Sequence, residues 1–339
     1  MRAIWITKSG GPEVLQVREQ PDPEPGPGEV RVRVKAAGLN FSDLMARQGL
    51  YPDAPKPPCV VGYEASGVVD ALGAGVTAPA VGTRVLALRR FGGHADTLVV
   101  PAVQALPMPD AMSFEEGAAL PVVYLTAYHM LFRVAALRPG RRVLVHMAAG
   151  GVGLAALQLC RTVPDVEVFG TASASKHEVL RANGCTHPID YRSQDYAAEV
   201  NRLTQGKGVH LVLDALGGAD WKKGYKLLAP AGQLIAFGFA NMATGETRSV
   251  VNVAKNFLKV PLFSPMGLMD KNRSVAGVNI GHLWGEIPML MEEMAALLEL
   301  YDQKKIQPII DQTFRFDQVA DAHLRMQTRK NVGKIILVP

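Results

Sequence analysis

The chemistry this chain can do starts at Ala148, Ala149, Gly150, Gly151, Val152 and Gly153, a run of small residues set between two apolar stretches. Val143, Leu144 and Val145 before it read as a strand buried on both faces of a parallel sheet, and Leu154, Ala155, Ala156, Leu157 and Leu159 after it read as a helix. A backbone with few Cβ atoms at such a turn can approach a bulky anion, and the first amides and the dipole of the helix then point at that anion. With Ala148 in place of the first glycine, Gly150 and Gly153 fit the G-x-G-x-x-G spacing that holds the pyrophosphate of a dinucleotide. Taken alone, the same run also describes a tight strand-to-helix turn with no ligand, so the surrounding residues must decide.

In sheets of this kind an acid about 20 residues further on binds the ribose 2′-hydroxyl of NAD, whereas NADP needs room and positive charge for a phosphate. Here that position is Ser173, within the stretch from Gly170 to Lys176, and it is not acidic. Ser173 can donate a hydrogen bond and Lys176 can offer a point charge, which together favour NADPH. Each also has a simpler role, Ser173 as a helix N-cap and Lys176 as a solvated lysine. Phe237 and Gly238 close the last clear strand of this region, where backbone near a nicotinamide is expected at the carboxyl edge of the sheet.

The elements that must position these residues fall into two regions. Before residue 100 the chain reads as strands and turns: Ala3 to Ile6, Val14 to Val17, Val30 to Ala36, Ala65 to Ala71, Val85 to Leu88 and Thr97 to Val100, punctuated by breakers that are densest from Pro21 to Gly28. Ser42 to Gln48 reads as a helical turn, and Phe114 to Phe132 as one or two helices with Ser113 as N-cap. From Arg142 strands and helices alternate as far as Phe237, which argues for a doubly wound parallel sheet. Beyond it the pattern predicts a helix and loop over Asn252 to Phe263, a strand over Val275 to Ile280 and an amphipathic helix over Pro288 to Lys304. The tail then gives strand, helix and strand, and these last strands, lacking helical alternation, are expected to return to the first region.

A chain of 339 residues is long enough for two domains, and 48% hydrophobic with 20% charged residues is ordinary for a soluble globular protein. The net charge of +5 is spread in short clusters, so nothing resembles a nucleic-acid-binding arm. Cys59, Cys160 and Cys185 are too far apart for a C-x-x-C metal site and fit a reducing compartment. No apolar run reaches the length of a membrane span and the first residues lack a signal-peptide core, which leads to an expectation of a cytoplasmic protein.

GLNFSDLMARQGLY (38–51), VVGYEASGVV (60–69), ALPVVYLTAYHML (119–131), HMAAGGVGLAALQL (146–159), GTASASKHE (170–178), HPIDY (187–191) and KNVGKIILVP (330–339) together resemble the medium-chain dehydrogenase/reductase superfamily from end to end. Within it the chain looks like the zinc-independent quinone oxidoreductase, or zeta-crystallin-like, branch and most like its vesicle amine transport protein subgroup. The resemblance implies an α/β fold, with a GroES-like β-rich catalytic domain from residues 1–122 and 265–339 around a Rossmann NADP-binding domain at 123–264. It also implies NADPH, with the nicotinamide between the domains, and commonly a homodimer. Tyr191 is implied as a further phosphate or ribose contact, Asn331 as a residue near the pyrophosphate, and Asn40 and Thr126 as polar groups near the nicotinamide.

Zinc members of the superfamily carry a cysteine at the position of Asn40, a histidine at Tyr63 and a third ligand at Val122, and none of these side chains is a useful zinc donor. His94, His129 and His146 read as isolated, structural histidines rather than ligands. Without a metal to polarise an alcohol, the expected acceptor is a quinone or an α,β-unsaturated carbonyl, whose reduction leaves a stabilised anion. Tyr51 and Tyr63 can donate a hydrogen bond to that charge or stack on a flat acceptor, and each can instead be a structural anchor. The alternative function is a dinucleotide-binding regulatory or membrane- or vesicle-associated protein with little catalysis, for which the apolar, lysine-bearing stretch from Asn252 to Asp270 is the candidate surface.

Overall fold

The computed structural model describes residues 1–243, 245 and 247–339. Strands β1 (Arg2–Ile6), β2 (Leu15–Glu19) and β3 (Glu29–Leu39) lead through helix α1 (Phe41–Arg47) to β4 (Cys59–Val60), β5 (Glu64–Leu72), β6 (Arg84–Leu88), β7 (Thr97–Pro101) and β8 (Ala105–Pro107). β3 shows how this part forms: Val30, Val32 and Val34 are buried while Arg31, Arg33 and Lys35 between them keep contact with solvent, the two-residue period of a half-covered strand. Arg31 Nε and Arg33 Nε donate to the two carboxylate oxygens of Asp70 on β5, at 2.9 and 2.6 Å.

Helices α2 (Phe114–Ala119) and α3 (Pro121–Tyr128) follow, and α3 runs on into a π-helical turn, His129–Val134. Ser113 caps α2 as its sequence suggests, accepting from the Glu116 amide at 3.1 Å while Glu116 accepts from the Ser113 amide at 3.0 Å. The alternating region gives β9 (Arg142–Val145), α4 (Gly151–Cys160), β10 (Glu167–Ala172), α5 (His177–Ala182), β11 (His187–Asp190), α6 (Tyr196–Leu203), β12 (Val209–Asp214), α7 (Ala219–Lys226) and β13 (Leu228–Ala236). Then come α8 (Val250–Phe257), α9 (Pro265–Lys271), β14 (Ser274–Gly277), α10 (Ile287–Asp302), β15 (Ile310–Arg315), α11 (Val319–Gln327) and β16 (Lys334–Val338).

Among the described residues the strands make three sheets. A parallel sheet has the order β11-β10-β9-β12-β13-β14, a mixed sheet the order β15-β16-β3-β5-β6-β8 with β7 on β3, and a small sheet the order β2-β1-β4. The first is doubly wound from β9 outwards, with Val143, Leu144 and Val145 fully buried at its centre and α4 packed over it. The fold class is α/β with a β-rich second unit, as expected.

One expectation shifts. The parallel sheet takes one strand from beyond residue 264, because Ser274 to Gly277 pair in register with Gln233 to Ala236. Val275 and Ala276 are only half-buried there, as suits the edge of a sheet, and the strand ends at Gly277 rather than continuing to Ile280, where a 3-10 turn begins. β15 and β16 do return to the first region: β16 pairs antiparallel with β3, Ile335 opposite Leu39. That return carries residues 329–334 across the mouth of the parallel sheet.

Candidate functional site

At the carboxyl ends of β9, β10, β12 and β13, and against the loops of the β-rich unit, lies a cleft of about 1340 Å³. It brings together Asn40, Tyr51, Tyr63 and Thr126 with Ala149, Gly150, Gly151, Val152, Gly153, Ser173, Lys176, Tyr191, Phe237, Gly238 and Asn331.

The glycine turn is shaped by two different needs. A Cβ on Gly153 would stand 2.5 Å from Met147 O and 2.6 Å from Ala148, so the helix can pack on the turn only without one. A Cβ on Gly150 would meet only Met147 O at 3.3 Å, so that position is bare toward the cleft. Met147 takes φ 52°, a left-handed conformation that aims the turn back over β9. Gly150 is the N-cap of α4 and no side chain caps the helix there, which leaves its first amides for an anion.

The C-terminal segment closes over this turn. Gly333 N donates to Ala149 O at 2.8 Å, and at φ +83° a Cβ on Gly333 would lie 2.2 Å from Ile309 O. Asn331 Nδ2 donates to Gly333 O at 3.0 Å, bracing the same bend. Lys176 is not a solvated lysine: its Nζ donates to Arg329 O at 2.8 Å and Asn331 O at 2.7 Å, and burial lowers its pKa. Two of its three N–H groups tie the tail down, which leaves one for a ligand. Ser173 precedes a 3-10 turn without capping it, and its Oγ lies 3.4 Å from Ser175 Oγ. Tyr191 stands at the rim, 39% exposed.

On the opposite wall a buried polar network surrounds Asn40. Asn40 Nδ2 donates to Glu64 Oε1 at 2.9 Å, Lys334 Nζ donates to Asn40 Oδ1 at 2.6 Å and to Glu64 Oε1 at 2.5 Å, and Val122 N donates to Glu64 Oε2 at 2.6 Å. The Asn40 amide in turn donates to Asp43 Oδ2 at 2.8 Å, so the residue both caps α1 and joins the network. Thr126 Oγ1 donates to Val122 O at 2.7 Å, which leaves its lone pairs toward the cleft. Tyr63 is buried against Phe91, and its hydroxyl lies beside those of Tyr51 and Ser42 without a well-aligned hydrogen bond to either. Burial, with the nearby Asp43 carboxylate, raises the Tyr63 pKa strongly, and burial raises that of Tyr51. Both therefore stay protonated.

None of the three histidines is isolated, contrary to their sequence context. His94 Nε2 is 3.2 Å from Gly38 O, His146 Nδ1 is 3.1 Å from Thr171 Oγ1, and His129 Nδ1 is 3.0 Å from Glu293 Oε1. Long-range pairings made them invisible in the sequence. Lys334, Arg329 and Trp284 also line the cleft without having been singled out. Lys334 alone left a signal, a lysine heading the otherwise apolar strand KIILV. Among the described residues no group of three or more His, Cys, Asp or Glu is placed to hold a metal ion.

A doubly wound parallel sheet and a β-rich unit that share one cleft at the sheet's carboxyl edge define the two-domain dehydrogenase/reductase class. Comparison with known proteins agrees with the geometry. Residues 26–110 match the alcohol dehydrogenase GroES-like domain and residues 183–337 match the zinc-binding dehydrogenase family. The synaptic vesicle membrane protein VAT-1 homolog of Rattus norvegicus is 49% identical over 100% of this chain and 84% of its own length. That of Danio rerio is 53% identical over 89% of this chain, but the match spans only 62% of the zebrafish protein. A quinone oxidoreductase of Pseudomonas aeruginosa is 35% identical over 97% of both chains. Among solved structures, Escherichia coli quinone oxidoreductase complexed with NADPH superposes with a TM-score of 0.88 at 29% identity, covering 100% of both chains. The chain belongs to the medium-chain dehydrogenase/reductase superfamily, an oxidoreductase family.

Proposed function

We propose that the chain is an NADPH-dependent oxidoreductase that delivers hydride to a quinone or an α,β-unsaturated carbonyl without a catalytic metal. The observation that carries this reading is the continuity of the cleft: a bare glycine turn under uncapped helix amides at one end, and the Tyr51 and Tyr63 phenols beside Asn40 and Thr126 at the other. The residues fit the dinucleotide. Gly150 leaves room for a pyrophosphate, and Ser173 with the remaining N–H of Lys176 offers donors, not a carboxylate, where NADP carries its extra phosphate. Once bound, the cofactor supplies the hydride chemistry.

The protein's own part is positioning and electrostatics. The Lys334 ammonium, anchored by Asn40 and Glu64, stands beside the positions that zinc members give to metal ligands; an amide, a phenol and an ammonium do not donate to zinc. Tyr63 and Tyr51, held protonated, donate to negative charge that develops on the acceptor. A second copy of the chain is part of the proposal, since among the described residues β14 leaves one edge of the parallel sheet unpaired. Consumption of NADPH against a panel of quinones and enones tests the reading, with turnover on at least one acceptor expected.

A second reading, a vesicle-associated binding protein, is favoured by one surface. Val251, Phe257, Leu258, Leu262, Met266 and Met269 are all exposed, and α8 buries none of its residues. Relatives named as synaptic vesicle membrane proteins point the same way. Among the described residues no helix is long and apolar enough to cross a membrane, so such an association is peripheral. NADPH binding with no turnover, together with retention on vesicles, would favour this reading over the enzyme.

A further inference from the structure

His129 sits three residues beyond Thr126, on the same helical face and about 4.5 Å further along the axis, and both side chains line the cleft. Its Nδ1 faces Glu293 on α10, 3.0 Å from one carboxylate oxygen and 3.3 Å from the other, although 164 residues separate the two. Glu293 is 1% exposed and also accepts from Arg133 Nε at 2.5 Å. Arg133 Nη2 also donates to Glu292 Oε2 at 3.1 Å, so one guanidinium faces two carboxylates and the cluster has a place for a positive charge on the imidazole. What the contact does is fix the ring: Nδ1 is the donor, and Nε2, on the opposite edge, has no hydrogen-bond partner among the described residues. The helix also changes pitch here. His129 opens a π-helical turn, a form that is rare and concentrated at functional sites. Around it the cleft wall is apolar, with Leu125, Leu283 and Leu290, so a polar edge at this place stands out chemically.

We propose that His129 is the proton donor of the cleft and that Glu293 is its positioning residue, an inference that rests on the reductase reading above. Hydride reaching the electrophilic carbon of a quinone or enone brings two electrons, which come to rest as negative charge on the conjugated oxygen. The Nε2–H bond of the imidazolium then breaks toward that oxygen, an O–H bond forms, and the ring is left neutral with Nδ1–H still donated to Glu293. A proton from the solvent's acid pool then restores Nε2–H, so each turnover consumes one hydride and one solvent proton. Acceptor, proton and hydride thus balance to the reduced product, with NADPH as the reductant.

The test uses the full chain, with NADPH and an acceptor that the unaltered protein reduces. His129→Ala is expected to lower kcat about 100-fold with NADPH affinity and melting temperature retained, and Glu293→Gln to lower it about tenfold. Imidazole added to His129→Ala is expected to restore about tenfold of the loss, and across ring-substituted imidazoles of similar size the rescue should rise with their acidity. A space-filling role would give rescue that follows size and ignores acidity, and that result overturns the proposal. So does an unchanged kcat in both His129→Ala and His129→Gln. If the unaltered protein turns over no acceptor, the reductase reading itself fails, and this inference with it; turnover in the unaltered protein with silent variants overturns the inference alone.

Discussion

The Lys334 ammonium stands 2.5 Å from Glu64 Oε1, 270 positions away in sequence, with side-chain exposures of 3% and 0%. The pair joins the last strand of the chain to β5 beneath the cleft, and Asn40 completes it. Removing one partner of such a buried pair leaves the other charge without compensation, whereas the intact pair contributes modestly. Lys334→Met is therefore expected to destabilise the protein by about 3–5 kcal/mol, and Asn40→Ala by about 1–3 kcal/mol, since it leaves the pair but deletes hydrogen bonds. Urea unfolding of the two variants checks the order.

The two glycines of the turn separate folding from binding. Gly153→Ala places a methyl 2.5 Å from backbone that cannot yield, so melting temperature and NADPH affinity should fall together. Gly150→Ala, with only Met147 O at 3.3 Å, should melt within about 1 kcal/mol of the unaltered protein yet bind NADPH about tenfold more weakly, because its methyl enters the cleft. Equal affinities for the Gly150 variant and the unaltered chain would remove the turn from the binding site.

The tyrosines should differ. Tyr63 has a buried hydroxyl with no well-aligned hydrogen bond, so Tyr63→Phe should change stability little and lower kcat about 10- to 100-fold if that hydroxyl serves the acceptor. Tyr51, part-exposed with its hydroxyl near Gly281, should cost less when changed to Phe. NADPH affinity should be intact in both. Steady-state kinetics showing no effect from either would take both out of the chemistry.

Acid sensitivity has an identifiable source at His323. The ring is fully buried, neither nitrogen has a partner, and burial together with the charges of Arg47 and His94 lowers its pKa well below the ordinary value of 6.5. The folded state thus holds this ring neutral, while the unfolded chain takes up a proton as pH falls below about 6.5. Stability contributed by this site is present above that pH and is lost below it, by up to about 1.4 kcal/mol per pH unit. His323→Leu should flatten that slope between pH 6.5 and 5 in denaturant titrations, with little change at pH 8.

Much of the site was legible because it is local. The glycine spacing, the β-strand alternation of Val30, Val32 and Val34, and the serine at position 173 each depend on residues close in sequence. The cleft gathers Ala149 to Gly153 of the turn with Ser173 and Lys176, while Ala148 is buried behind it. What sequence could not give is what the return of the chain creates. Lys176 reads as a surface lysine until the tail arrives to accept its two hydrogen bonds, and His129 reads as isolated until α10 brings Glu293 against it. The strand expected over Val275 to Ile280 lies in the 265–339 segment expected to join the β-rich unit, yet Ser274 to Gly277 take the free edge of β13 instead, a pairing that no local pattern announces.

The most direct measurement is the rate of nicotinamide oxidation with NADPH and with NADH, each against the same panel of quinones and enones. The account predicts turnover on at least one acceptor and a clear preference for NADPH, set by Ser173 and Lys176 where an NAD-binding sheet would carry an acid. A preference for NADH, or tight NADPH binding with no turnover on any acceptor, would contradict it.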